Sequence, residues 1–485
     1  MTTVPEYSEI ERLRDAIDHA WQIAHDFGLD PFPTHFELVP ATIMYEFASY
    51  LLPGRFSHWT YGKAYYRQKM QYDFGLSKIY EMVVNTNPSY AFLMDMNNML
   101  QNTFVAAHVF GHTDFFKNNA YFQHTSRRMI DKVSIHAERI AKYEFDHGKA
   151  EVERFLDAAL SIQEHVDYNL FLRSDDPPSH EKKEEKLKER TSEYDDLWGL
   201  EKKAKQAEEE RDTYQLKPVK FPEKPEKDIL LFLIRHSPVL QTWQRDILEI
   251  VRHEWLYFVP QMQTKVMNEG WASLWHSRIM RQLGDESVIS NSEIIEFAQL
   301  HSGVLSPSRV SLNPYYLGFK MLEDIERRWD SPTTEEQEKF GRKPGMGRKK
   351  IFEVREMDND VSFLRNYLTE DLVKDLDLYL YKKEGDEWVI VEKNWEKVRD
   401  GIVASMTNFN QPYLVVDNGD YRGNRELYIK HLFEGQELDL VYAEKTLQYV
   451  YLCWGRPVHL ETTYDGKRIL LSYDGERNSK STLEK

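Results

Sequence analysis

One long segment decides how this chain can fold. From Ser174 to Lys227 the sequence reads SDDPPSHEKKEEKLKERTSEYDDLWGLEKKAKQAEEERDTYQLKPVKFPEKPEK, and large apolar residues nearly vanish outside Leu197, Trp198 and Leu200. Such a stretch cannot bury enough surface to offset its ordering entropy, so it is expected as a charged linker or loosely held arm. Any core must be built from what lies on either side. The flanks have the means, since 41% of the 485 residues are hydrophobic and 13% aromatic. At roughly 100–200 residues per domain, two or three domains are expected.

The charge balance narrows the function classes. A formal net charge of −17 argues against a general binder of nucleic acid or anionic membrane. Cys453 is the single cysteine, which excludes an intrachain disulfide framework and any CxxC zinc site. The opening MTTVPEYSEIERLRDAIDHA is acidic and amphipathic, unlike a secretory signal, and no run approaches the roughly 18 apolar residues of a membrane helix. A cytoplasmic chain without a membrane span is expected.

Periodicity divides the rest. Residues 1–173 read as an aromatic-rich helical region, opening with a helix over 8–28 that Gly28 stops. After the arm at 174–227, helical pattern resumes over 228–330, with successive helices through RHEWLYF and NEGWASLWH. Residues 331–350 (SPTTEEQEKFGRKPGMGRKK) read as an exposed polar loop. From 351 to 470 a C-terminal α+β domain is expected: a hairpin about Glu384-Gly385-Asp386, a helix, two strands, a helix, and a hairpin turning at Asp465-Gly466, with 471–485 as a tail. The fold class is thus mainly α in the N-terminal and central regions, with a C-terminal α+β domain.

The sharpest chemical pattern is AAHVFGHTD. His108 and His112 stand four apart, so on a helix both imidazoles project from one face and can bind one metal ion. Zinc then needs a third ligand, and NEGWASLWH supplies Glu269, with Ser273 and His276 on the same helical face. Gly270 costs a helix about 1 kcal/mol against alanine, which makes sense if something approaches the backbone closely. An HxxxH helix followed much later by a Glu-Gly-x-Ala helix is locally similar to the metal-site helices of gluzincin-type metallopeptidases. Those enzymes carry glutamate after the first histidine as general base; here that residue is Val109. Another carboxylate must take the proton, and Glu254 and Asp114 are the nearest candidates in sequence, with His276 as a fourth ligand or transition-state donor. The competing picture is two helices packed through a His/Glu/Ser hydrogen-bond network with no ion.

Other ionisable groups carry less. His136, Glu138, Glu164 and His165 share the helical region but form no Glu-x-x-His pair, which disfavours a di-iron bundle. His58 is expected as a core or loop histidine, and Cys453 as a buried structural thiol. There is no Walker lysine loop, GxGxxG or GxSxG.

The strings PGRFSHWTYGK, YDFGLSKIYEMVVNTNPSYAFL, QNTFVAAHVFGHTDFFKNN, QRDILEIVRHEWLYFVPQMQTKVMNEGWASLWH, NPYYLGFKMLEDIERRW and FEVREMDNDVSFLRNYLT, with ELYIKHLFEGQELDL and WGRPVHLET further on, closely resemble the SpoVR family, the stage V sporulation protein R proteins of bacteria. The likeness runs from about residue 8 to about 462. It implies a cytoplasmic protein linked to the spore cortex, a peptidoglycan layer, or to stress and stationary-phase physiology in bacteria that do not sporulate. It also implies the company of a PrkA-type serine protein kinase and a von Willebrand factor A-like protein. It carries over no catalytic residue.

Two readings follow. In one, His108, His112 and Glu269 bind Zn2+ in a hydrolase of amide or peptide bonds, with Glu254 as base. In the other, which the resemblance favours, the chain is a regulator or scaffold joining the two partners through its polar segments, with a metal site retained in the N-terminal helical region.

Overall fold

In the computed structural model, residues 7–49, 56–73, 81–169, 220–307, 312–384 and 387–483 are described. Most of the 174–227 arm and the tip of the 384–386 turn lie outside them. The chain forms two units, one of residues 1–154 with 253–411, the other of residues 155–252 with 412–485. The class is as expected, mainly α with a C-terminal α+β portion.

The first unit is built around three helices whose backbones nearly touch. They run Met99–Asn118, Lys265–Asp285 and Pro314–Asp330. The Met99–Asn118 helix is buried on nearly every side, sixteen of its twenty residues being buried, as suits a central element. Asn98 and Gln101 close its N-terminus with a capping box. Glycines set the spacing. A Cβ on Gly111 would come within 2.6 Å of Ala272 Cα, and one on Gly270 within 2.3 Å of the Gly318 carbonyl carbon. The expectation that Gly270 admits a close neighbour holds, and the neighbour is the backbone of the third helix. Around this centre pack Trp271, Trp275, Phe110, Met321 and Ile325, all essentially buried.

A three-stranded sheet lies beside the helices. Strands β1 (Thr34–Val39), β2 (Glu81–Val84) and β3 (Ser89–Met94) are ordered β1-β3-β2, with β1 parallel and β2 antiparallel to β3. This corrects the all-helical reading of residues 1–173. In HFELV and SYAFLM buried and less buried side chains alternate, so each strand turns one face to the core.

The region after 330 also departs from expectation. Thr334–Phe340 is a helix, capped by Thr333 and Glu336 and ended by left-handed Gly341, so 331–350 is not a loop throughout. It is nonetheless polar, with no buried residue. The helices beyond it bury Ile351, Val354, Phe363, Leu364 and Val398 in the first unit's core. With them goes the hairpin β4 (Leu380–Glu384) and β5 (Glu387–Glu392). The α+β domain therefore begins at Pro412 rather than 351, because core burial, not chain position, decides membership.

In the second unit, β6 (Leu414–Tyr421), β7 (Glu426–His431), β8 (Val458–Tyr464), β9 (Lys467–Tyr473) and β10 (Asn478–Thr482) form one sheet in the order β10-β9-β8-β7-β6. The Leu440–Trp454 helix joins parallel β7 and β8 and packs on the sheet. The turn at Asp465-Gly466 is where expected, both residues having positive φ. Asn478–Thr482 is a strand rather than part of a tail. The end of the charged arm is paired, Glu226 bridging to Val416. Cys453 is fully buried, and burial pushes its thiol up to about 12.

Candidate metal centre

The helix geometry places His108 and His112 one above the other, both buried. The glycine-close contact at Gly111 and Ala272 brings the second helix alongside, and Glu269 on it reaches both rings. Its Oε2 lies 3.5 Å from His108 Nε2 and 3.4 Å from His112 Nε2. The distant helices do meet, and both imidazoles face one carboxylate oxygen.

A residue that sequence reasoning missed completes the group. Glu81 opens strand β2, and its Oε1 lies 4.0 Å from His108 Nε2. Glu81, His108 and His112 each offer a ligand atom within 4.8 Å of the others, a cluster that could hold a metal ion. The sequence signal was slight: one acidic residue before an apolar run, MVVN.

Outer partners orient both imidazoles. His112 Nδ1 lies 3.0 Å from Asn268 Oδ1, which can only accept, so the ring donates there and turns its Nε2 lone pair inward. His108 Nδ1 lies 2.8 Å from His276 Nδ1, and His276 Nε2 lies 2.7 Å from His301 Nδ1. One set of neutral tautomers satisfies all three rings: His108 donates to His276, His276 to His301, and His108 Nε2 keeps its lone pair. Both nitrogens of His276 are thereby engaged. It orients His108 instead of serving as a fourth ligand, which corrects the sequence expectation.

The electrostatics separate the two carboxylates. Burial pushes Glu81 above the ordinary carboxylate range, against the pull of His108 and with the help of Glu269. Glu269 feels burial too, but His112 and His108 outweigh it and hold the group below that range. Burial, aided by His108, lowers His112 to about 4, and burial likewise holds His276 well below its usual value. His112 is therefore neutral near pH 7, the form that binds metals, and His276 is neutral as the bridge between His108 and His301. Tyr315, in the first turn of the Pro314–Asp330 helix, hydrogen-bonds Glu269. Burial and then the charges of Glu269 and Glu81 raise its phenol, so it stays protonated.

The two bases nominated from sequence are engaged elsewhere. Glu254 pairs with His136, Oε1 to Nδ1 at 2.8 Å. Asp114 is fully buried and accepts from Trp271 Nε1 and the Asp30 N–H, both at 2.8 Å, with Arg355 Nη1 at 3.5 Å. It is a structural carboxylate, its pKa raised by burial against the pull of Arg355. His58 is buried against Thr60, as a loop histidine would be.

The SpoVR like protein family matches residues 7–411, and the SpoVR-like C-terminal domain matches residues 412–465. The junction between the two falls where the second unit resumes. The chain is 29% identical over 466 residues to Uncharacterized protein YcgB of Escherichia coli (strain K12), covering 91% of this chain and 89% of that protein. No solved structure matches. Among the described residues, no helix is long and apolar enough to cross a membrane. The chain belongs to the SpoVR family.

Proposed function

We propose that this chain is a zinc-dependent hydrolase of amide or peptide bonds, with its centre at His108, His112, Glu269 and Glu81. One observation carries the reading. His108 Nε2 and Glu269 Oε2 are buried 3.5 Å apart, too far for a well-formed hydrogen bond, with no other partner among the described residues, and such atoms are costly unless something satisfies them. Ligand atoms on tetrahedral bonds of about 2.0–2.1 Å stand about 3.3 Å apart. The spacings of 3.4 and 3.5 Å between Glu269 and the two rings fit that edge. Two imidazoles and a carboxylate are also a donor set that suits zinc.

A zinc ion held there supplies Lewis acidity and lowers the pKa of water to about 7. The chain's own groups divide the remaining work. Glu81 takes the place left open by Val109: its Oε1 stands 4.0 Å from His108 Nε2, while Glu269 lies against both rings and so serves as ligand. It accepts the proton as the water oxygen bonds to the carbonyl carbon, and returns it to the nitrogen as the C–N bond breaks. Tyr315, kept protonated, turns its single O–H from Glu269 to the carbonyl oxygen as charge builds there.

The reading is tested by incubating the zinc-loaded full chain with mixed peptides and measuring newly released amines. Release should stop on chelation and return with zinc. Glu81→Gln should lower it about a hundredfold or more with zinc retained. No release from any peptide, or full activity in the variant, would end the reading. The family resemblance supports a cytoplasmic setting in cortex or stationary-phase physiology, beside a PrkA-type kinase and a von Willebrand factor A-like protein. Failure of either partner to co-purify with the chain would count against that company.

A further inference from the structure

A cavity of about 710 Å³ opens onto the centre, with Glu81, His108 and Tyr315 in its wall. The wall then follows the Met99–Asn118 helix toward its N-terminus through Phe104 and Gln101. Glu296, from the Asn291–Val304 helix, closes the far part and accepts from Asn98 Nδ2 at 2.9 Å. The helix itself is the ruler. Gln101 stands seven residues and Asn98 ten residues before His108, which at 1.5 Å per residue is about 10–15 Å. Among the described residues, no lysine or arginine lines the cavity, while two carboxylates do.

From this we infer that the ligand is a short peptide with a cationic end: an amide at the centre, an apolar middle against Phe104, and an ammonium group at Glu296. An extended chain advances about 3.3 Å per residue, so 10–15 Å corresponds to three or four residues. Glu296 and Glu81, with no cation beside them among the described wall residues, disfavour phosphates and peptides that would carry a carboxylate into the far part, because a buried or half-buried anion needs a partner. Glu296 also sits near the N-terminus of the Met99–Asn118 helix, where a carboxylate is favoured by the helix dipole alone. A stabilising role of that kind would not discriminate between ligands. The inference rests on the hydrolase reading, and its test separates the two.

The probes are three tripeptide hydroxamates of identical apolar sequence, the hydroxamate serving as zinc-binding head. One carries a free amino terminus, one is acetylated and one succinylated. Affinities are measured by calorimetry on the zinc-loaded full chain and on Glu296→Gln, with zinc content determined in both. The ammonium probe should bind about tenfold tighter than the succinylated one, with the acetylated probe between. Glu296→Gln should bring all three within about twofold while zinc content stays the same. Equal affinities in the wild type, or an order unchanged in the variant, would overturn the inference and leave the zinc reading standing. If the zinc-loaded chain binds none of the probes, the cavity is not the route to the ion and the inference falls alone. A chain that takes up no zinc fails at the loading step, and both fall together.

Discussion

Replacing Gly270 by alanine should damage both the fold and the centre, although alanine is the better helix former. Propensity alone predicts a gain of about 1 kcal/mol. The structure sets against it a Cβ placed 2.3 Å from the Gly318 carbonyl carbon, 2.4 Å from its Cα and 2.7 Å from the Phe319 nitrogen. Ordinary contact begins near 3.4 Å, so the backbone of the Pro314–Asp330 helix must retreat by about 1 Å, and backbone cannot rotate out of the way. Overpacking of this kind costs about 1–3 kcal/mol, occasionally more, so after the propensity gain the net loss should reach about 2 kcal/mol. The displaced pair carries Glu269, next to the substitution, and Tyr315, three residues before Gly318. Metal–ligand distances tolerate only about 0.2 Å, so zinc affinity should fall about tenfold or more. Urea unfolding and competition with a chromogenic chelator measure the two effects. Gly62→Ala is the control, because nothing lies within 4 Å of its added Cβ and the helix Trp59–Asp73 should gain the full propensity term. If Gly270→Ala is as stable as Gly62→Ala and binds zinc as the wild type does, the packing argument is wrong.

Other outcomes follow from single contacts. Asn268→Ala removes the acceptor that fixes the His112 tautomer; chelator competition should show a 10–100-fold loss of zinc affinity, with about 1 kcal/mol of stability lost. Asp114→Ala strands Arg355 beside an unpaired Trp271 N–H in the core. Unfolding measurements should show a loss of about 3–5 kcal/mol, the mark of a buried partner removed from a hydrogen-bonded charge pair. His165, in the second unit, is buried, and burial followed by Lys227 depresses it from 6.5 to about 4. Its folded value lies below the unfolded one, so its contribution is complete above about pH 6.5 and is lost as pH falls toward 4, up to about 3 kcal/mol in all. Urea midpoints across that window should slope downward with acid, and His165→Leu should flatten the slope.

What could be read from the sequence was what helical spacing dictates. His108 and His112 share a face because they stand four apart, and Glu269 was found because it shares a helical face with Ser273 and His276 in a Glu-Gly-x-Ala pattern. The strands and helix of the second unit were legible because alternation in ELYIKHLF and VHLETTYDG contrasts with the 3.6-residue period of LVYAEKTLQYVYLCW. Glu81 was not legible. It stands on a strand of four residues, too short for a period to declare itself, and only the pairing with β3 brings it beside the helix. Gly318 as the partner of Gly270 is likewise a long-range fact. The boundary at Pro412 escaped notice because the helices after Ile351 look no different from their neighbours until a core claims them. Glu254 was nominated as base for its nearness in sequence, yet the fold gives it His136 as its partner.

The central claim is that His108, His112 and Glu269 converge to hold an ion, and metal content tests it most directly. The full chain, purified without an affinity tag, should retain about one divalent transition ion per molecule by elemental mass spectrometry. His108→Ala and His112→Ala should each lose it while keeping the wild-type circular dichroism spectrum. A wild-type chain that neither carries nor takes up such an ion, or variants that bind it undiminished, would contradict the account.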